Sequence, residues 1–223
     1  AAGDIKLAAA AAGLPAARAR AVRLAALLHD ADDRKYFPDC PKGQYPNARR
    51  LMEQAGAGPQ EVDDALEMIG LVSCSKNGNS APPAAAKQPE LLWPRWADRL
   101  EATGEVGVVR CWQYTEETGG RLSAPSTPRP SSEAEVWELA TPERFEQYQA
   151  SGGKSDSMMD HYYDKLLRVA CPPAELLQNS YLEAEMRSQV APLLEVCLAF
   201  GRTGEVPLAR LREMAAQLGQ GGQ

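Results

Sequence analysis

Hydrophobic positions recur along this chain at helical spacing, with almost none of the two-residue alternation of strands. Across Ala16–Leu28 the sets Val22, Ala25, Ala26 and Leu24, Leu27, Leu28 make a wide apolar face that ends at His29-Asp30. Gly13-Leu14-Pro15 breaks the chain just before it, and proline suits the start of a new helix. Asn47 is expected to cap a short helix running through Gln54. Pro59 opens the next, with Val62, Leu66 and Ile69 in register. Leu91 to Thr103 follows the helical pattern, with Pro94 in its first turn, and Val106 to Tyr114 is read as helix because no partner strand is evident. Short helices are predicted around Pro142 within Val136 to Tyr148. Ser157 to Ala170 carries the stripes Met158, Tyr162, Leu166 and Met159, Tyr163, Leu167, Ala170, which read as core. Tyr181 to Phe200 should kink at Pro192, and Pro207 to Leu218 forms the last helix.

Between these segments lie polar, turn-rich stretches. Ala31 to Pro46 is a loop, and Ser73 to Pro83 turns about Asn77-Gly78. Ser151 to Lys154 is a flexible loop, and residues 115–132, centred on GGRLSAPSTPRPSS, read as an exposed loop insertion. Residues 1–12 are alanine-rich and lack a Met start, as in the remnant of a first helix entered part-way. They do not resemble a signal peptide, because no basic segment precedes a Leu/Val-rich core. Residues 219–223 read as a disordered tail. The expected fold class is all-α: a single helical domain over residues 1–218.

Composition narrows the function. The 223 residues carry 24 Lys+Arg against 30 Asp+Glu, a net charge of −6. That balance argues against a nucleic-acid surface or an anionic-membrane anchor, and no run of about 18 apolar residues is present to span a bilayer. The five cysteines, at positions 40, 74, 111, 171 and 197, form no C-x-x-C pair. They read as reduced thiols in an intracellular, reducing compartment. Gly153-Lys154-Ser155 is not a P-loop, since Tyr148 stands where its first glycine belongs. Neither an H-E-x-x-H, a G-x-S-x-G nor a dinucleotide-binding glycine set occurs.

Two signals remain. His29-Asp30 at a helix end offers an imidazole and a carboxylate, complementary ligands for a divalent first-row metal; its plain alternative is a cationic helix cap. Asp98, set in an apolar helix between Trp93, Trp96 and Leu100, needs a partner. Arg95 or Arg99 would serve, and so would a metal shared with His29 and Asp30.

The segments LAALLHDADDRKYF and WADRLEATGEVGVVR together resemble the HD-domain phosphohydrolases, whose signature is a His, then His-Asp, then a distant Asp. LVSCSKNG and MDHYYDKLL are similar to a branch of small bacterial HD hydrolases that act on nucleotides. The resemblance spans about Leu24 to Leu167 and implies an all-α fold with His29, Asp30 and Asp98 as metal ligands. The family's first His belongs on the preceding helix, but residues 1 to 28 contain none. The missing Met favours a chain that starts just after that ligand, with Asp4 as the only acidic stand-in.

The resemblance further implies hydrolysis of a nucleotide, most simply a nucleoside triphosphate cleaved to monophosphate and pyrophosphate, with Mn, Mg, Co or Fe as cofactor. Asp33 becomes the candidate general base. Lys76, with Ser75 and Asn77, becomes a candidate phosphate holder, as do Arg99, His161 and Lys165. A homodimer is open. Two other readings compete: a catalytically inactive HD scaffold that binds a nucleotide or a protein partner, and a helical interaction module docking through Leu122 to Ser132.

Overall fold

The computed structural model describes residues 10, 12–34, 36–172 and 174–220; the expected remnant at 1–12, with Asp4, lies almost wholly outside the described residues. Every regular element among them is helical, as the absence of strand patterning predicts. In chain order these are α1 (Ala16–Leu28), α2 (Pro46–Gln54), α3 (Pro59–Val72) and the single turn α4 (Cys74–Asn77). Two 3-10 turns, Pro83–Ala86 and Pro89–Leu92, lead into α5 (Trp93–Glu101) and α6 (Gly104–Glu117). Then come α7 (Glu133–Leu139), α8 (Pro142–Ala150) and α9 (Met158–His161). A π turn, Tyr162–Leu166, joins α9 to α10 (Leu167–Ala170). The chain finishes with α11 (Ala174–Leu177), α12 (Ser180–Gln189), α13 (Ala191–Thr203) and α14 (Leu208–Gln220).

The chain divides into two units. The first comprises Ala1–Asp98 with Pro173–Ala184, the second Arg99–Pro172 with Glu185–Gln223. In the first, α1 lies along α3 and turns inward a small-residue face of Ala21, Val22, Ala25 and Ala26, all buried. Small side chains let two helix axes approach closely and exclude water along their length. Arg18 ties the same pair together, with ion pairs to Asp64 of α3 at 2.9 Å and to Glu90 at 3.1 Å. The buried Trp93 indole donates to the Leu177 carbonyl at 3.2 Å and so holds α11 in this unit.

In the second unit the sequence stripes of 157–170 are core. Met158, Met159, Tyr162, Tyr163, Leu166 and Leu167 pack with Val108, Trp112, Val196, Cys197, Phe200, Leu211 and Met214. Arg210 crosses between helices, bonding Glu195 at 2.7 Å and Glu105 at 3.5 Å.

The structure differs from the sequence reading in four places. Asn47 is not the cap of α2: the helix starts at Pro46 behind a left-handed Tyr45, and the capping group comes from elsewhere. The segment 181–200 breaks rather than kinks at Pro192, which has no N–H to continue α12 and serves instead in the first turn of α13. Gly219 and Gln220, expected in the tail, belong to α14. The stretch expected as an exposed loop begins only after Glu117 and is fastened down. Its Arg121 and Leu122 carbonyls accept from Met158 and Met159 amides at 2.9 and 3.1 Å. Thr127 is buried and donates to Asp160 at 2.8 Å, and Arg129 donates to the Gly201 carbonyl. Arg121, Ser126, Ser131 and Ser132 are exposed as polar composition suggests, but Thr127 faces a buried carboxylate and Arg129 a helix-end carbonyl.

Two glycines give opposite expectations. A Cβ on Gly201 would sit 1.8 Å from the Pro130 carbonyl oxygen, whereas one on Gly70, inside α3, would meet only Tyr45 Oη at 3.5 Å. Gly201→Ala should lose at least about 3 kcal/mol in chemical denaturation, at or beyond the top of the overpacking range. Gly70→Ala should gain up to about 1 kcal/mol from helix propensity.

Candidate functional site: an imidazole between two carboxylates

α1 delivers His29 at its C-cap, with φ −58° and ψ −29°. The ring is fixed from behind: Nδ1 donates to the Ala26 carbonyl at 2.9 Å. That leaves Nε2 facing outward, 3.2 Å from Asp30 Oδ2 and 3.3 Å from Asp98 Oδ1. Asp30 comes from the turn after α1 and Asp98 from α5. The imidazole is largely buried, at 16% exposure, while the carboxylates are open to solvent at 66% and 38%. The structure therefore brings together the three residues that the sequence reading singled out as metal ligands.

A carbonyl and two carboxylates can only accept hydrogen bonds. All three face one ring, so both nitrogens carry protons and His29 is an imidazolium. The Asp30 and Asp98 hydrogen bonds push its pKa up to about 10, against a smaller opposing effect of burial. The negative end of α1 favours the same charge. Among the described residues, no group of three or more His, Cys, Asp or Glu side chains is disposed to hold a metal ion. Here Nε2 points at the two carboxylates through a proton.

Asp33 lies in the next turn, where its amide donates to the Asp30 carbonyl at 3.1 Å and its own carbonyl accepts from Tyr36 and Phe37. Between them, Asp32 turns away: its carboxylate oxygens accept the Asn47 and Ala48 amides, each at 2.9 Å. This is the missing cap of α2. No local spacing signals it, because its partners are 15 and 16 residues away.

Lys76 is exposed on the single turn α4, and its amide reaches the Ser73 hydroxyl at 3.4 Å. The Asn77 side-chain amide donates to the Gly70 and Ser73 carbonyls, so it closes the end of α3. The Ser75 side chain lies outside the described residues. Arg95, offered by the sequence as a partner for Asp98, has a role that the sequence did not signal. It is buried and donates to the Leu71 and Ser80 carbonyls, both at 2.7 Å, clamping the two ends of the segment that carries Lys76.

The other candidates belong to the second unit. Arg99 is buried, at 2% exposure. The His161 ring tilts against Tyr148 at 5.3 Å, and Lys165 Nζ lies 5.8 Å over the same Tyr148 ring. Burial, with Lys165 nearby, pushes the His161 pKa down to about 4, so this imidazole is neutral near pH 7. As a candidate phosphate holder it therefore offers a hydrogen bond rather than a positive charge. All five cysteines are free thiols. Among the described residues no helix is long and apolar enough to cross a membrane.

These features define an all-α protein with a solvent-facing imidazole–carboxylate cluster at one helix end. The chain is 32% identical over 191 residues to uncharacterized protein L803 of Acanthamoeba polyphaga mimivirus, an alignment covering 80% of this chain and 76% of that protein. It belongs to that protein's family. No protein-family model matches it. Among solved structures it is similar to a Lactobacillus plantarum protein determined as a Northeast Structural Genomics target. That likeness has a TM-score of 0.55 at 18% identity and covers 89% of this chain and 83% of the other; it is a likeness of fold.

The two histidines oppose each other in pH. His29, raised to about 10, contributes stability that is fully present below its unfolded value of 6.5 and is lost as pH rises toward 10. His161, lowered to about 4, costs stability as pH falls from 6.5 toward 4, because the unfolded chain binds the proton first. Thermal unfolding should therefore show a stability maximum near pH 6.5 from this pair. His29→Gln should flatten the alkaline limb and His161→Gln the acid limb, and imidazole NMR titrations should place the two pKa values on opposite sides of 6.5.

Proposed function

We propose that this protein is a divalent-metal-dependent phosphohydrolase acting on a nucleotide, most simply splitting a nucleoside triphosphate into monophosphate and pyrophosphate. The observation that carries the reading is the orientation of His29. Its Nδ1 is tethered to a backbone carbonyl, and its Nε2 is aimed at two carboxylates from separate elements. Metal-binding imidazoles are commonly held from behind in this way. An imidazole nitrogen and two carboxylate oxygens suit Mn, Mg, Co or Fe in donor type. The Nε2–oxygen separations of 3.2 and 3.3 Å are those of neighbouring ligands sharing an ion at bonds of about 2.0–2.2 Å. Binding requires His29 to give up its Nε2 proton and a carboxylate to turn, which the exposure of Asp30 and Asp98 permits.

When bound, a divalent ion would polarise a phosphoryl oxygen and acidify a water. The chain supplies the rest. Asp30 and Asp98 would hold the ion by its positive charge, beside His29. Asp33, one turn on, is within the same loop to accept a proton. Lys76 is the cation for a phosphate, presented on a segment that Arg95 keeps fixed. The five free thiols suit a reducing compartment.

A second reading, a catalytically inactive scaffold that binds a nucleotide or a protein, draws on the want of a closed three-ligand metal group among the described residues. Phosphate and pyrophosphate release from a nucleotide panel with Mn or Mg separates the two, using protein that includes whatever precedes Ala1 in its gene. Asp98→Ala should lower turnover by more than the roughly 10–100-fold typical of losing an outer-shell partner, with its melting temperature little changed. No metal-dependent hydrolysis and no bound Mn would leave the scaffold reading.

A further inference from the structure

α2 begins without a cap of its own. Tyr45 stands at its N-cap in the left-handed region, with φ 51° and ψ 50°, and gives no side-chain bond, and Pro46 brings no N–H. The next two amides, Asn47 and Ala48, are both taken by Asp32, one on each carboxylate oxygen. The grip is returned: Asn47 Nδ2 donates to the Ala31 carbonyl at 3.2 Å and to Cys40 Sγ at 3.4 Å, while the Cys40 thiol donates to Asp32 Oδ1 at 3.3 Å. Residues 31 and 32 are thus fastened to the first turn of α2 by several bonds at once. Ala31 also closes the turn that carries Asp30, its amide donating to the Leu28 carbonyl at 3.0 Å.

Charge explains the arrangement further. Asp30, Asp32 and Asp33 crowd three carboxylates into four residues. Turning Asp32 onto the amide end of a nine-residue helix stabilises its charge and takes it away from the His29 cluster. We propose that Asp32 is a positioning residue: by holding the first turn of α2 it fixes the turn that presents Asp30 to His29 Nε2. Its carboxylate touches neither substrate nor metal. The proposal rests on the reading of His29, Asp30 and Asp98 as the working site.

The test uses two readouts at one neutral pH: the Mn dissociation constant, and the NMR signal of the His29 Nε2 proton that faces Asp30 and Asp98. The variants are Asp32→Ala and Asp32→Asn, with Ser132→Ala as control, since Ser132 caps α7 through the Glu135 amide in the other unit. Asp32→Ala should weaken Mn binding by roughly 10–100-fold, the range for outer-shell partners, and should shift or broaden the His29 proton. Asp32→Asn, which keeps one amide acceptor, should fall between; it carries the test if Asp32→Ala does not fold. Ser132→Ala should lower the melting temperature and move neither readout. An Asp32→Ala protein with unchanged Mn affinity and an unchanged His29 proton overturns the proposal. A wild type that binds no Mn, but whose His29 proton responds to Asp32→Ala, upholds the positioning role and removes the metal reading. A wild type with neither a bonded His29 Nε2 proton nor Mn binding removes both.

Discussion

The Ala26 carbonyl holds the His29 ring by Nδ1, and the chemistry open to the candidate site follows from which nitrogen is left free to face outward. Were the ring turned over, Nε2 would be tied to the helix and Nδ1, set closer to the backbone, would be the nitrogen turned toward Asp30 and Asp98. With Nδ1 tethered, one position gathers a proton or a cation among three groups drawn from α1, the turn after it and α5. The tether is a product of the helix end, where the last carbonyls have no amide partner of their own. A histidine at the C-cap can reach back to one of them and still look away from the helix.

Much of the first unit was legible in the sequence because its signals are local. The bounds of α1, the face made by Val62, Leu66 and Ile69, and the turn at Asn77-Gly78 all follow from periodicity and glycine placement within a few residues. His29, Asp30 and Asp98 were legible as chemistry, and the first two as neighbours. The meeting of Asp98 with His29 was implied by a resemblance, and the fold supplies it. What could not be read is what depends on distant partners. The cap of α2 looked like Asn47 because Asn is a good capping residue, yet the work falls to Asp32 from across a loop. Arg95 looked like a neutraliser for Asp98, yet it binds two carbonyls.

The second unit carries the same lesson in reverse. Its helix from 158 to 170 was plain from its stripes, but the π turn within it was not, since extra width in a helix leaves no compositional mark. The loop before α7 reads as a solvated stretch because it is rich in Ser, Pro and Thr. Its Thr127 Oγ1 instead reaches Asp160 at 2.8 Å, where Ser157 Oγ, at the start of α9, also donates at 2.6 Å. Arg144 completes the set at 3.4 Å and also bonds Asp164 at 2.8 Å. A buried carboxylate with that many donors is stable only while the loop stays in place, so polarity there is a device for order.

The indole of Trp93 finds its acceptor at Leu177, 84 residues further along the chain. The first unit is therefore discontinuous, and its last piece is made only after most of the second unit has left the ribosome. At about 5–20 residues per second, that is a delay of several seconds during which a buried indole and the surface meant for α11 stand open. Synthesis thus imposes an order: the second unit's early helices have time to form while the first is still waiting to be closed.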